Sequence, residues 1–272
     1  MASYCDSNSS ASPSMLMLPI ETRLHIFRMA SYESHYEESL GAKSRRLTTS
    51  LRISRVCRQW RTEVLGDPHM WRDLFIDLWA PRHALVHFWE FILNRVKMPN
   101  VNVHIQALSD WAKDGTMMAD HLRLCAQPLK LIRNIGTLQL DIAGRHACHL
   151  GGFFGIYDRT FYNLTIRCFG SLQSISTPNA RPLAAPLEAL LRRNKIRQLT
   201  LRGAGPLGLP EDLVCQKLYR LDVRDSGEDL SDERIKRAFP CLDSYRIHND
   251  GEMRESRSKC KSKQSSKSSR HR

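Results

Sequence analysis

Apolar residues in the first third of the chain fall at helical spacing. Ile20, Leu24 and Phe27 recur at steps of four and three, which predicts a short amphipathic helix over residues 19–29. Pro19 suits its first turn, where a missing donor costs nothing, and Glu21 suits the positive helix end. Residues 31–49 break the pattern with mixed charges and a Gly, as an exposed loop or insertion does. From Ser50, the positions Ile53, Val56, Cys57, Trp60 and Val64 predict a second helix, with Arg52, Arg55, Arg58 and Arg61 on other faces and Gly66-Asp67-Pro68 as its stop. Trp71, Leu74, Phe75 and Leu78 predict a third helical stretch that ends at Pro81. Residues 84–96 predict a further helix, and Val101, Val103 and Ile105 alternate as in a half-buried strand.

Farther along, one spacing recurs: an apolar residue, two others, an apolar residue, one other, an apolar residue. It occurs at Ile135-Leu138-Leu140, Ile196-Leu199-Leu201, Leu218-Leu221-Val223 and Leu242-Tyr245-Ile247. Phe161-Leu164-Ile166 and Leu172-Ile175 compete for the unit between 135 and 196. Ile196, Leu218 and Leu242 are separated by 22 and 24 residues, within the range of a leucine-rich repeat. Each unit would give one short strand and a return segment such as 183–193 or 232–239. Stacked units would then share a core that no single unit can close. An ordinary α/β domain with recurring strands is the alternative.

The helical segment carries a family resemblance. LPIETRLHIF at 18–27 and ISRVCRQWRTEVLGDPHMWRDL at 53–74 hold, in order, Leu18, Pro19, Glu21, Leu24, Ile26, Phe27, Val56, Cys57, Trp60, Asp67, Pro68 and Trp71. This pattern closely resembles the F-box. Departures are Thr22 where the family usually has an aliphatic residue, Ala30 in place of a common Leu, and the longer charged loop. The region after it resembles the degenerate leucine-rich repeats of fungal F-box proteins. The resemblance implies that Leu18, Pro19, Leu24, Phe27, Val56, Cys57, Trp60 and Trp71 pack on a Skp-type adaptor, with Glu21 supporting the helix start. It further implies a link through that adaptor to a cullin and its RING subunit. The chain would then be a non-catalytic subunit of a ubiquitin ligase complex, holding a protein substrate by its C-terminal repeats while contributing no chemical group. The rival class is a non-catalytic scaffold or a basic nucleic-acid-binding protein.

Composition narrows the picture. Apolar residues at 42% and charged residues at 25% fit a chain that buries a real core. The net charge of +13 is uneven: residues 254–272 hold eight Lys or Arg against Glu255 alone, which leaves the folded part only mildly basic and argues against nucleic acid as its partner. That Ser- and Lys-rich stretch cannot offset its ordering entropy by burial, and a disordered tail over 251–272 is expected, as is a disordered N-terminus over 1–14. The first residues lack the basic and apolar stretches of a signal sequence, and no run suits a membrane span, so an intracellular location, cytoplasmic or nuclear, is expected. Eight scattered Cys without Cys-x-x-Cys read as reduced thiols.

Candidate chemistry is sparse. Gly203-Ala-Gly-Pro-Leu-Gly208 matches a dinucleotide fingerprint, but Pro206 and Pro210 stand where the phosphate-binding helix would start, so a glycine-rich turn is favoured. His146, Cys148 and His149 have ligand chemistry without a second pair at metal-binding spacing. Cys57 lies among apolar neighbours, where a thiol acts as a small hydrophobe. No cofactor, metal or catalytic group is expected. The expected fold is mixed, α+β or α/β: a three-helix F-box module over 15–80, an irregular leucine-rich-repeat-like α/β region over 81–250, and the basic tail.

Overall fold

The computed structural model describes residues 15–32, 49–94, 101–107, 115–132, 135–156, 161–169, 184–193, 195–203, 210–224, 231–249 and 252–257. The expected disordered N-terminus and the segment 258–272 lie outside them, as do 33–48 and the candidate strand Leu172-Ile175. The fold is mixed α/β. Its chain divides into two compact units, one running to Phe75 and the other from Ile76 onward.

The first unit opens with a 3-10 turn at Met15–Met17 and helix α1, Ile20–Tyr32, which Pro19 precedes as predicted. The predicted second helix is broken in two. Residues 49–53 are helical (α2), 54–56 form a turn, and α3 spans Arg58–Gly66. Cys57 causes the break. Its backbone is extended and its Sγ accepts the Trp60 amide at 3.4 Å, so it caps α3 instead of continuing α2. Ser54 Oγ donates back to the Leu51 carbonyl at 2.7 Å, and Arg61 Nε donates to the Ser54 carbonyl at 3.1 Å, which satisfies the groups that the break exposes.

The predicted third helix is not one. Pro68–Trp71 makes a 3-10 turn capped by the Asp67 carboxylate, which accepts the His69 amide at 3.1 Å, and Asp73–Asp77 then runs as strand β1. Leu74 and Ile76 are its buried alternate residues. A short apolar run fits either period, and pairing in the sheet decides it.

The second unit takes in the end of β1 and continues with helix α4, Arg82–Leu93, β2, Val101–Ala107, and α5, Gly115–Leu129. Next come β3, Ile135–Ala143, a 3-10 segment at Gly144–His149, and α6, Leu150–Ile156. Strand β4, Phe161–Phe169, and α7, Ala184–Arg192, lead to β5, Ile196–Arg202. After β6, Arg220–Arg224, helix α8, Asp232–Ala238, returns the chain to β7, Ser244–Asn249, and β8 spans Glu252–Arg257. The eight strands lie in the sheet in chain order. From β2 to β7 every neighbouring pair is parallel, and β8 turns back antiparallel on β7. The tail expected from residue 251 is therefore ordered through Arg257. Its residues complete backbone hydrogen bonds along the open edge of β7, a gain that composition does not report.

Register explains the recurring spacing. Ile105, Leu140, Ile166, Leu201, Val223 and Ile247 stand in one row across six strands, and Val103, Leu138, Leu164, Leu199, Leu221 and Tyr245 in the next. All are buried. Val101 pairs with Ile135 while Asn102 pairs with Thr137, so β3 holds an extra residue there, and β4 and β5 keep that register. The two-residue gap after the first apolar position is this local irregularity. Phe161-Leu164-Ile166 is the triplet that forms a strand in the contested interval. Helices α4 to α7 pack against one another in chain order and fill the returns.

Gly203, first glycine of the Gly-x-Gly-x-x-Gly stretch, ends β5 with φ +60°. A Cβ there would collide with the carbonyl oxygen of Cys168 on the neighbouring strand. This position belongs to a tight strand exit; residues 204–209 lie outside those described.

Candidate functional site

In the first unit the geometry centres on a buried charge. Arg23 sits on the apolar side of α1, between Ile20 and Phe27, and its Nε donates to Glu63 Oε2 at 3.1 Å while Nη2 donates to Oε1. Both side chains are nearly buried, at 6% and 5% exposure. Its Nη1 reaches the carbonyls of Leu16, at 3.0 Å, and Leu18, so one guanidinium ties the entry segment to α1 and α3. Gln59 Nε2 donates to Glu63 Oε1 at 3.0 Å. The hydrogen bond from Arg23 holds the Glu63 carboxyl below the usual carboxylate range, against desolvation, which acts the other way. A second fork, Arg28 to Asp67 at 2.8 and 3.0 Å, ties α1 to the cap of the 3-10 turn.

Around this centre the eight residues implicated by resemblance divide. Phe27 and Trp71 are buried in the unit's own core; the Trp71 indole N–H donates to the Val64 carbonyl at 3.0 Å, and the Phe27 ring lies 4.7 Å from that of Trp60. A unit this small needs its largest rings inside. Leu24, Cys57 and Trp60 are half-buried. Leu18, Pro19 and Val56 are exposed, Val56 at 61%. Leu16, Met17 and Ile20 are also exposed, Met17 at 83%. The Arg23 guanidinium holds the carbonyls of Leu16 and Leu18, so the exposed side chains of the entry segment stand on a fixed backbone.

The second unit offers a polar sheet face. Opposite the buried rows, Gln106, Asp141, Arg167, Arg202, Arg224 and His248 occupy successive register positions on β2 to β7. Asp141 is fully buried: His104 Nε2 lies 2.8 Å from Oδ2, Gln139 Nε2 donates to both oxygens at 3.0 and 2.9 Å, and Arg167 Nε stands 4.0 Å away. Arg224 donates to both oxygens of Asp222 at 3.1 and 3.2 Å.

His146 is buried and stacks on His149 with ring centroids 6.0 Å apart, while Cys148 is exposed. Burial lowers the His149 pKa, favouring its neutral form. Among the described residues no three His, Cys, Asp or Glu side chains form a metal-binding group, and no described helix is long and apolar enough to cross a membrane.

Sequence reasoning passed over Arg23 and Glu63, although an Arg four residues before Phe27 stands on the same helix face as that buried ring. It also passed over the arginine row, where Arg follows the last apolar residue of the triplets ending at Ile166, Leu201 and Val223. No protein-family model matches the chain, and no curated protein is significantly similar to it.

Proposed function

We propose that the chain is an F-box protein: a substrate-recognition subunit that docks a Skp-type adaptor through its first unit and holds a protein substrate on the second, without supplying a chemical group to ubiquitin transfer. One observation carries the reading. The apolar residues left exposed in the first unit include Leu18, Pro19 and Val56 of the F-box pattern, while the same pattern's Phe27 and Trp71 are buried. Aliphatic side chains left exposed on so small a unit are what a protein partner would cover. Burial against an adaptor would stabilise the unit at about 25 cal/mol per Å² of apolar surface removed from water. Trp60 Nε1 is buried without a hydrogen-bond partner among the described residues, so its ring already turns away from solvent.

In the second unit we read the parallel strands in chain order, with irregular returns and aligned apolar rows, as degenerate leucine-rich repeats. Such an array offers a wide polar sheet face that side-chain changes retune without disturbing the rows beneath. Proximity is then the whole of the catalytic contribution: substrate held on this face presents its lysines to a charged ubiquitin thioester.

The test is co-purification. Tagged full-length chain should retain a Skp-type adaptor, cullin and RING subunit, and a Leu18→Asp/Val56→Asp variant of unchanged thermal stability should lose all three. A folded wild-type chain that captures none of them contradicts the proposal.

A further inference from the structure

We propose that the row Arg167, Arg202, Arg224 forms a binding face for an acidic protein segment. This names the substrate class for the sheet face and rests on the substrate-capture half of the reading above. Three arginines occupy one register position on three successive parallel strands. Neighbouring strands lie about 4.8 Å apart, so the guanidinium stems are spaced closely enough for a single extended segment to engage them in turn.

The vertical arrangement of charge sets the sign of the partner. The carboxylates beside the row are sunk: Asp141 is 0% exposed and Asp222 15%, whereas the side chains of Arg167 and Arg224 keep 22% and 34%; one row over, Arg246 keeps 36% and pairs with Glu255, which keeps 29%. An approaching chain meets guanidinium first. Carboxylates are the complement, because Arg forks bind them bidentately.

A mixed donor and acceptor lining beside the row suits a polypeptide backbone. A depression lined by Thr137, Asn163, Thr165, Gln198, Thr200, Asp222 and Arg220 lies next to the row on the same strands. Asn163 Oδ1 is buried there and accepts no hydrogen bond among the described residues. That oxygen calls for a donor. An acidic peptide supplies carboxylates for the row and backbone N–H groups for the depression; a phosphodiester backbone presents acceptors only.

Fluorescence anisotropy of a labelled peptide alternating Glu and Ser, titrated with full-length chain at low and at physiological salt, tests the proposal. Wild type should bind with an affinity that falls with salt. Arg167→Gln/Arg202→Gln should weaken binding about tenfold or more, since each lost charge-assisted pair is worth more than a neutral hydrogen bond. Substituting Lys259, Lys261, Lys263 and Lys267 by Gln should leave most of the affinity. If thermal unfolding shows the double variant to be misfolded, Arg202→Gln alone carries the same expectation at smaller amplitude. Unchanged affinity in a folded row variant, complete loss in the lysine variant, or tighter row-dependent binding of a single-stranded oligonucleotide of matched charge would each overturn the proposal. The assay contains no adaptor, so its failure leaves adaptor docking standing, and failure of adaptor docking leaves this result standing.

Discussion

Arg23 and Glu63, forty residues apart in the chain, meet as a forked ion pair beneath the entry segment of the first unit, and the same guanidinium holds the carbonyls of Leu16 and Leu18. Removing either partner leaves a buried charge without its complement. Because the folded-state pKa of Glu63 is depressed, its contribution is present above the unfolded carboxylate value and is lost as pH falls through the lower folded value. Glu63→Gln should therefore lower Tm at neutral pH and flatten the decline of Tm below about pH 4. Circular dichroism melts across that range read it directly, and an acid slope identical to wild type would contradict the assignment.

Gly203 combines a positive φ with the close approach of the Cys168 carbonyl. Gly203→Ala should cost about 1–3 kcal/mol from backbone strain and collision, measured as a lowered denaturant midpoint. A neutral effect would mean that the strand exit relaxes freely.

The aligned rows predict a graded core. Leu140→Ala, fully buried within a row, should destabilise by about 2–5 kcal/mol, while Leu131→Ala, at a position 70% exposed, should change stability by about 0.5 kcal/mol or less. Equal effects would contradict the register.

Much of this was legible before the structure, and the failures have physical causes. The strand triplets ending at Leu140, Leu201, Val223 and Ile247 announced themselves because alternate residues must face one core. Return helices α7 and α8 coincide with the predicted segments 183–193 and 232–239 to within about two residues, the usual uncertainty of a helix end. The run from Ile53 to Val64 read as one helix because the apolar spacing continues through Cys57, and only the thiol's acceptance of the Trp60 amide reveals a cap. Leu74 to Leu78 read as helix because steps of three and four coexist there with steps of two. Strand β8 was illegible, since its residues are polar and basic and its order comes from backbone pairing with β7. Spacing alone did not tell which residues of the Leu18–Trp71 pattern face outward: Trp71 and Val56 carry equal weight in it, yet one is fully buried and the other 61% exposed.

Thiol chemistry should follow burial. Desolvation pushes the Cys125 and Cys168 thiols up to about 12 and also raises Cys215, whereas Cys148 and Cys241 are exposed. Among the described cysteines, iodoacetamide at neutral pH should modify Cys148 and Cys241 first, with Cys125 and Cys168 labelled only on unfolding, because the thiolate is the nucleophile. Mass spectrometry of the labelled peptides decides it, and early labelling of Cys125 would show that α5 opens.

The central claim is that Leu18 and Val56 mark a docking face for a Skp-type adaptor. Its most direct measurement is calorimetric titration of full-length chain with purified adaptor, comparing wild type, Val56→Asp, and Leu131→Asp as an exposed apolar control in the second unit. The account predicts tight binding by wild type and the control, and a loss of about tenfold or more for Val56→Asp at unchanged Tm. Equal affinity of Val56→Asp and wild type, or no binding by a folded wild-type chain, would contradict it.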